Sequence, residues 1–233
     1  MKQLSLAQKR SDFDLIIIMA VTMAVLAVFI SFQSFFNELT ANEDVHILIR
    51  TAVMAFMQFG VAGLGSCLVM IYRREDFRTF GLRRSGAGKA VVLTTLLCIL
   101  CAVLFYFANG ISSYLPFQQV GMTRKVLASP FPTNIIGYLI IAVSWGFFEG
   151  FNYVVIADKI NTRYPSRYRW LNRGALTCAI ACILIHGMVG VTAKNLLEMA
   201  AVTILIYGML YIREHTGNAW GCVLVFIFFW NAF

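Results

Sequence analysis

The chain has 233 residues, 60% of them hydrophobic and only 13% charged, with a mean hydropathy of +0.76. A soluble domain sits near half apolar and a quarter charged, so this composition excludes an ordinary water-soluble globule and indicates an integral membrane protein. The net charge of +8 does not argue for nucleic acid, because the basic residues fall in short loops between apolar runs, where they orient the chain and meet anionic lipid.

The apolar runs are long and continuous rather than short and alternating, which predicts an all-α polytopic bundle rather than a β-barrel. Seven spans are expected, over residues 15–36, 46–72, 91–114, 134–156, 175–191, 196–212 and 219–233. The first is too long for a cleavable signal peptide and should remain as a span. The second carries Gly60, Gly63 and Gly65, which suit either close helix contact or a kink. Pro116, Pro130 and Pro132 bound a longer connection before the fourth span. The seventh is short, about 22 Å at helical rise.

With the N-terminus in the cytoplasm, 15 of the 19 Lys and Arg fall on the inner side, in the N-terminal segment (Lys2, Lys9, Arg10), in 73–89, in 159–173 (Arg169 among them) and at Arg213. That asymmetry predicts an N-in topology, with a plasma membrane as the natural location. The six cysteines lie within apolar runs without disulfide or metal spacing and read as small packing residues. No internal repeat or soluble segment is visible, so residues 1–233 are expected to form one membrane domain.

The fourth span holds Glu149, the one acidic residue deep inside an apolar run. A carboxylate near the bilayer centre costs at least about 2.5–3.5 kcal/mol, so its presence calls for a reason. Gly146 and Gly150 flank it at the spacing that lets another helix approach closely. Asn152 and Tyr153 follow at i+3 and i+4 and are expected on the same side of the helix, as supporting polar groups. His186 lies in the fifth span and Asn231 in the seventh. Helix rise counted from the basic-loop ends puts Glu149 about 10–13 Å, His186 about 16 Å and Asn231 about 18 Å deep. Three polar groups in one layer predict one shared site, open towards the cytoplasmic half.

Glu and His together can activate a water, and an Asn amide can donate to the oxyanion formed when a carbonyl is attacked. That set describes peptide-bond hydrolysis without a covalent intermediate. Taken singly, each residue also has a packing explanation: a structural carboxyl, a hydrogen-bonded histidine, an interhelical asparagine. A catalytic zinc needs about three protein ligands, and His186 is the one deep histidine, with no HExxH present, so neither metal nor cofactor is expected.

A Glu on one membrane helix, a His on the next and an Asn on the last, in this order, resemble the CPBP family of CAAX proteases and bacteriocin-processing enzymes, also called Abi. Its motifs are Glu-Glu-x-x-x-Arg, Phe-x-x-x-His and His-x-x-x-Asn. Glu149, His186 and Asn231 match the leading Glu, the second motif's His and the third motif's Asn. Gly150, Val154, Cys182 and Ile227 stand where the family has its second Glu, Arg, Phe and last His. FGLRR and the lead-in TGNAWGCVL are also similar to family segments, and residues 134–233 carry the resemblance best. It implies a glutamate-dependent intramembrane endopeptidase acting on a peptide or membrane-protein substrate, with half of the oxyanion site retained. The alternatives are a non-catalytic relative serving as a membrane scaffold or in bacteriocin self-protection, and a small transporter using Glu149 as a proton carrier. The transporter is disfavoured by the lack of repeat halves.

Overall fold

Ser5 opens the first helix. In the computed structural model its hydroxyl accepts from the Gln8 N–H at 3.2 Å while Gln8 Oε1 accepts from the Ser5 N–H at 2.9 Å, a reciprocal capping box. Helix α1 (Leu6–Ser31) therefore begins well before the apolar run itself, and Asp12 and Asp14 are helical. The structure describes residues 3–111, 113–168 and 170–233; the expectations placed on Lys2 and Arg169 lie outside the described residues.

The described residues form nine helices and no strand, an all-α bundle. After α1 come the short α2 (Gln33–Ala41), then α3 (Ile47–Arg73) and α4 (Ala87–Asn109). A five-residue helix, α5 (Thr123–Leu127), lies in the proline-bounded connection, followed by α6 (Thr133–Arg163), α7 (Arg173–Ile185), α8 (Ala193–Thr216) and α9 (Trp220–Trp230). Five of these, α1, α3, α4, α6 and α8, are long and apolar enough to cross a membrane, while α7 and α9 are shorter apolar helices. The expected seven apolar segments thus all fold as helices, in two length classes.

Boundaries moved where polar residues are helical or where a cap intervenes. Helix α6 continues through Asp158 and Lys159 to Arg163, beyond the apolar run, because these charges have partners. Helix α7 starts on an Asn172 cap, whose Oδ1 accepts from the Ala175 N–H at 2.7 Å. It stops at Ile185, and Gly187 then takes a left-handed conformation, so His186 is just past the helix and not inside a span. Gly110 and Gly217 end α4 and α8 in the same way.

Helix α6 is the axle: it packs against α1, α3, α7 and α9, while α4 packs against α8 and α9 on the far side. The main core, with Phe151, Val154 and Val155 of α6 and Leu205, Ile206 and Met209 of α8, runs between these layers. Apolar side chains such as Ile16, Met19 and Met23 on α1 and Leu96, Ile99 and Phe107 on α4 point outwards, as a lipid-facing surface requires.

At one end of the bundle the helices are tied by ions. Asp14, 1% exposed, binds Arg73 Nε at 2.7 Å and Lys159 Nζ at 3.0 Å, and Lys159 also reaches Glu75 at 2.8 Å. Arg163 binds Asp12 at 2.5 Å and Arg213 binds Asp158 at 2.8 Å. The start of α1 and the ends of α3, α6 and α8 therefore share one face, and the two arginine-rich loops are on it. The connection between α4 and α6 lies at the other end.

Candidate functional site

Gly146 and Gly150 place the last helix against α6. A Cβ built on Gly150 would lie 2.9 Å from the Cys222 carbonyl oxygen, and one on Gly146 would lie 2.6 Å from Ile227 Cγ1. The close approach expected from their spacing is present, and Ile227 is a packing residue at the crossing. Gly65 does the same for α1, where its Cβ would be 2.9 Å from Ile18 Cα.

Three π-helical turns meet around this crossing: Gly60–Leu64 in α3, Ala142–Phe148 in α6 and Phe226–Trp230 in α9. The glycines of α3 therefore mark both a close contact and a distortion, with Ala62 at φ −116° inside the turn. Each wide turn shifts the helix register, and such turns recur at functional sites. Glu149 is the first residue after the one in α6.

Glu149 is 6% exposed, and its Oε2 accepts from Gln58 Nε2 of α3 at 2.8 Å. One turn on, Asn152 Oδ1 accepts from the Ser66 hydroxyl, again on α3. Tyr153 instead stacks on Phe226 of α9, with ring centroids 5.1 Å apart, and adjoins Cys182 of α7. Asn152 thus shares the α3-facing side with Glu149 as expected, whereas Tyr153 turns to α9 and α7 and the expectation needs correction for it alone. At 3.6 residues per turn they lie about 60° and 40° to either side of it, and in this packing those directions face different helices.

His186 and Asn231 do come together. They line one cavity of about 280 Å³, with Glu198, Gln118, Gln119 and Trp230. The His186 ring rests edge-on against Trp230, 5.4 Å between centroids. Gln119 holds the chain end in place: its N–H donates to the Asn231 carbonyl at 3.1 Å and its Nε2 to the Phe233 carbonyl at 2.8 Å. Asn231 and Gln119 also border a second cavity of about 480 Å³, lined further by Met54, Met122, Lys125 and Trp145. Glu149 lines neither cavity.

The cavity abuts the connection after α4, at the end opposite the arginine-rich loops. This corrects the expected opening on the basic-loop side. With the observed helix ends, Glu149 lies about 21 Å, His186 about 20 Å and Asn231 about 16 Å from that face. By this count Glu149 and His186 lie deeper than expected, because α6 and α7 extend further towards the basic loops than their apolar runs do. Sequence reasoning missed Gln58, which is a lone amide in an apolar run, and Glu198, which reads as a charge at a helix entrance.

Among the described residues no three His, Cys, Asp or Glu side chains converge as a metal-binding group, and the six cysteines are all free. The cavity can offer an imidazole, a carboxyl group and amides to a bound peptide and a water. No family model, curated protein or solved structure matches the chain.

Proposed function

We propose that this chain is an integral membrane peptide hydrolase of a plasma membrane, working in the cavity between His186 and Asn231. The observation that carries the reading is that these two residues, far apart in sequence, line one polar cavity beside an apolar bundle. In that reaction His186 accepts a proton from water as the oxygen attacks the peptide carbonyl, and the Asn231 amide donates to the oxyanion. Collapse returns the proton to the leaving nitrogen, giving a carboxylic acid and an amine, which exchange the remaining proton to become a carboxylate and an ammonium. By the resemblance to CPBP proteases, Glu149 assists His186 in activating that water, and the substrate is a peptide or the segment of a membrane protein.

A second reading rests on the Gln58–Glu149 hydrogen bond. A carboxyl group satisfied by α3, and absent from the cavity lining, fits a structural role. The protein would then hold a peptide without cutting it.

The test is a membrane-peptide reporter, incubated in ¹⁸O-water with the full chain reconstituted in nanodiscs. Hydrolysis puts ¹⁸O into the new carboxylate. His186→Ala should abolish it, and Asn231→Ala should slow it by about 10²–10³, the worth of one oxyanion donor. Glu149→Gln should abolish turnover in the first reading, whereas full turnover in that variant would remove Glu149 from the reaction. Absence of ¹⁸O incorporation by the native chain, with reporter still bound, would establish the second reading.

A further inference from the structure

We infer that the arginine-rich loop between α3 and α4 forms a binding site for the phosphate group of an anionic phospholipid. Arg78, Arg83 and Arg84 line a cavity of about 440 Å³ together with Leu82 and Trp220. A smaller cavity of about 190 Å³ adjoins it, and Arg78 and Arg83 border both. Three guanidinium groups around one hollow suit a phosphate, which they can meet with paired N–H donors.

The loop is held rigid before any ligand arrives. Asn218, 1% exposed, donates its amide to the Arg83 carbonyl at 2.6 Å and to the Ser85 carbonyl at 2.9 Å. The Ala219 N–H donates to the Gly81 carbonyl at 2.9 Å. Gly81, at φ +101°, lies so close to Gly217 that a Cβ would be 3.0 Å from its carbonyl oxygen. At the other end of the loop, Asp76 accepts from the Thr79 N–H and hydroxyl, both at 2.8 Å. The backbone carbonyls are thus turned inwards and occupied, while the guanidinium groups are left outside.

The charges nearby include two carboxylates without an ion pair among the described residues, Asp76 beside Arg78 and Glu214. Arg213 is paired with Asp158, and Glu214, which borders the smaller cavity, accepts from Asn172. Arg83 Nε donates to the Gly217 carbonyl at 3.1 Å. Arg78 and Arg84 are exposed and have no ion pair within 4 Å among the described residues. Trp220, at the first turn of α9, decides between a lipid and a free phosphate. Trp220 is 36% exposed and forms an apolar wall beside the arginines, as Trp residues do in a membrane interface. A phosphodiester carrying acyl chains uses both the guanidinium groups and that wall; inorganic phosphate uses the first alone.

The experiment is native mass spectrometry of the full chain in detergent, titrated with phosphatidylglycerol and, in parallel, phosphatidylcholine. The native chain should retain phosphatidylglycerol preferentially. Arg78→Gln with Arg84→Gln should weaken its retention about 25-fold, about fivefold per surface arginine, with an unchanged melting temperature. Trp220→Ala should weaken it too. Arg167→Gln, an exposed arginine of the other basic loop, should leave it unchanged. An equal loss in Arg167→Gln, or no loss in the double variant, would overturn the site. Displacement of the lipid by inorganic phosphate, with Trp220→Ala indifferent, would overturn the lipid assignment and leave an inorganic anion as the ligand.

Discussion

Gln58, half-buried on α3, donates to the carboxyl of Glu149, which is buried. An unsatisfied buried polar group costs about 1–3 kcal/mol, so Gln58→Leu should destabilise the protein by about that amount, read as a lower melting temperature in detergent. Glu149→Gln keeps a carbonyl oxygen for the Gln58 amide and should lose much less. No loss in Gln58→Leu would mean that the pair does not hold α3 to α6. At this scale Glu149, His186 and Asn231 stood out in the sequence because each is polar in apolar surroundings. Their partners did not: a single amide on α3 carries no local pattern, and which face it shares with Glu149 depends on π turns that no residue spacing announces.

Helix α7 meets α6 backbone to backbone at Gly174. A Cβ there would lie 2.2 Å from the Ala157 carbonyl oxygen and 2.7 Å from its Cα, so no side-chain adjustment can make room. Gly174→Ala should therefore push the start of α7 outwards and cost about 1–3 kcal/mol. Gly88, in the first turn of α4, has open space around it, and Gly88→Ala should be neutral or gain up to about 1 kcal/mol from helix propensity. Thermal melts of both variants decide it, and a harmless Gly174→Ala would sink the contact. Elements were legible where local chemistry sets them. The Gly146/Gly150 spacing announced a helix crossing, whereas the Ser5–Gln8 box that starts α1 and the Gly217 that ends α8 lie outside the apolar runs expected as spans. The end of α7 was not legible, because the apolar run continues through Val191 and only the Gly187 conformation breaks the helix.

The whole molecule has two unlike ends. One carries the ion network on Asp14 together with both arginine-rich loops; the other carries the connection after α4 and the His186–Asn231 cavity. We propose from the charge asymmetry that the first end lies in the cytoplasm, which would put the cavity towards the outer face. The placement is tested by single cysteines in a cysteine-free background, probed on intact cells with a maleimide that cannot cross the membrane. Arg167→Cys, exposed on the basic end, should stay unlabelled until the cells are opened. Phe131→Cys should label at once, because Phe131 is 77% exposed in the opposite connection and its replacement removes no packing. The reverse pattern would invert the protein and bring the cavity to the cytoplasmic side, where a peptide hydrolase would meet a different set of substrates. Labelling of both sites from outside would break the two-ended arrangement itself, since the ion pairs of Asp14 and Lys159 hold the ends of α1, α3 and α6 together on one face.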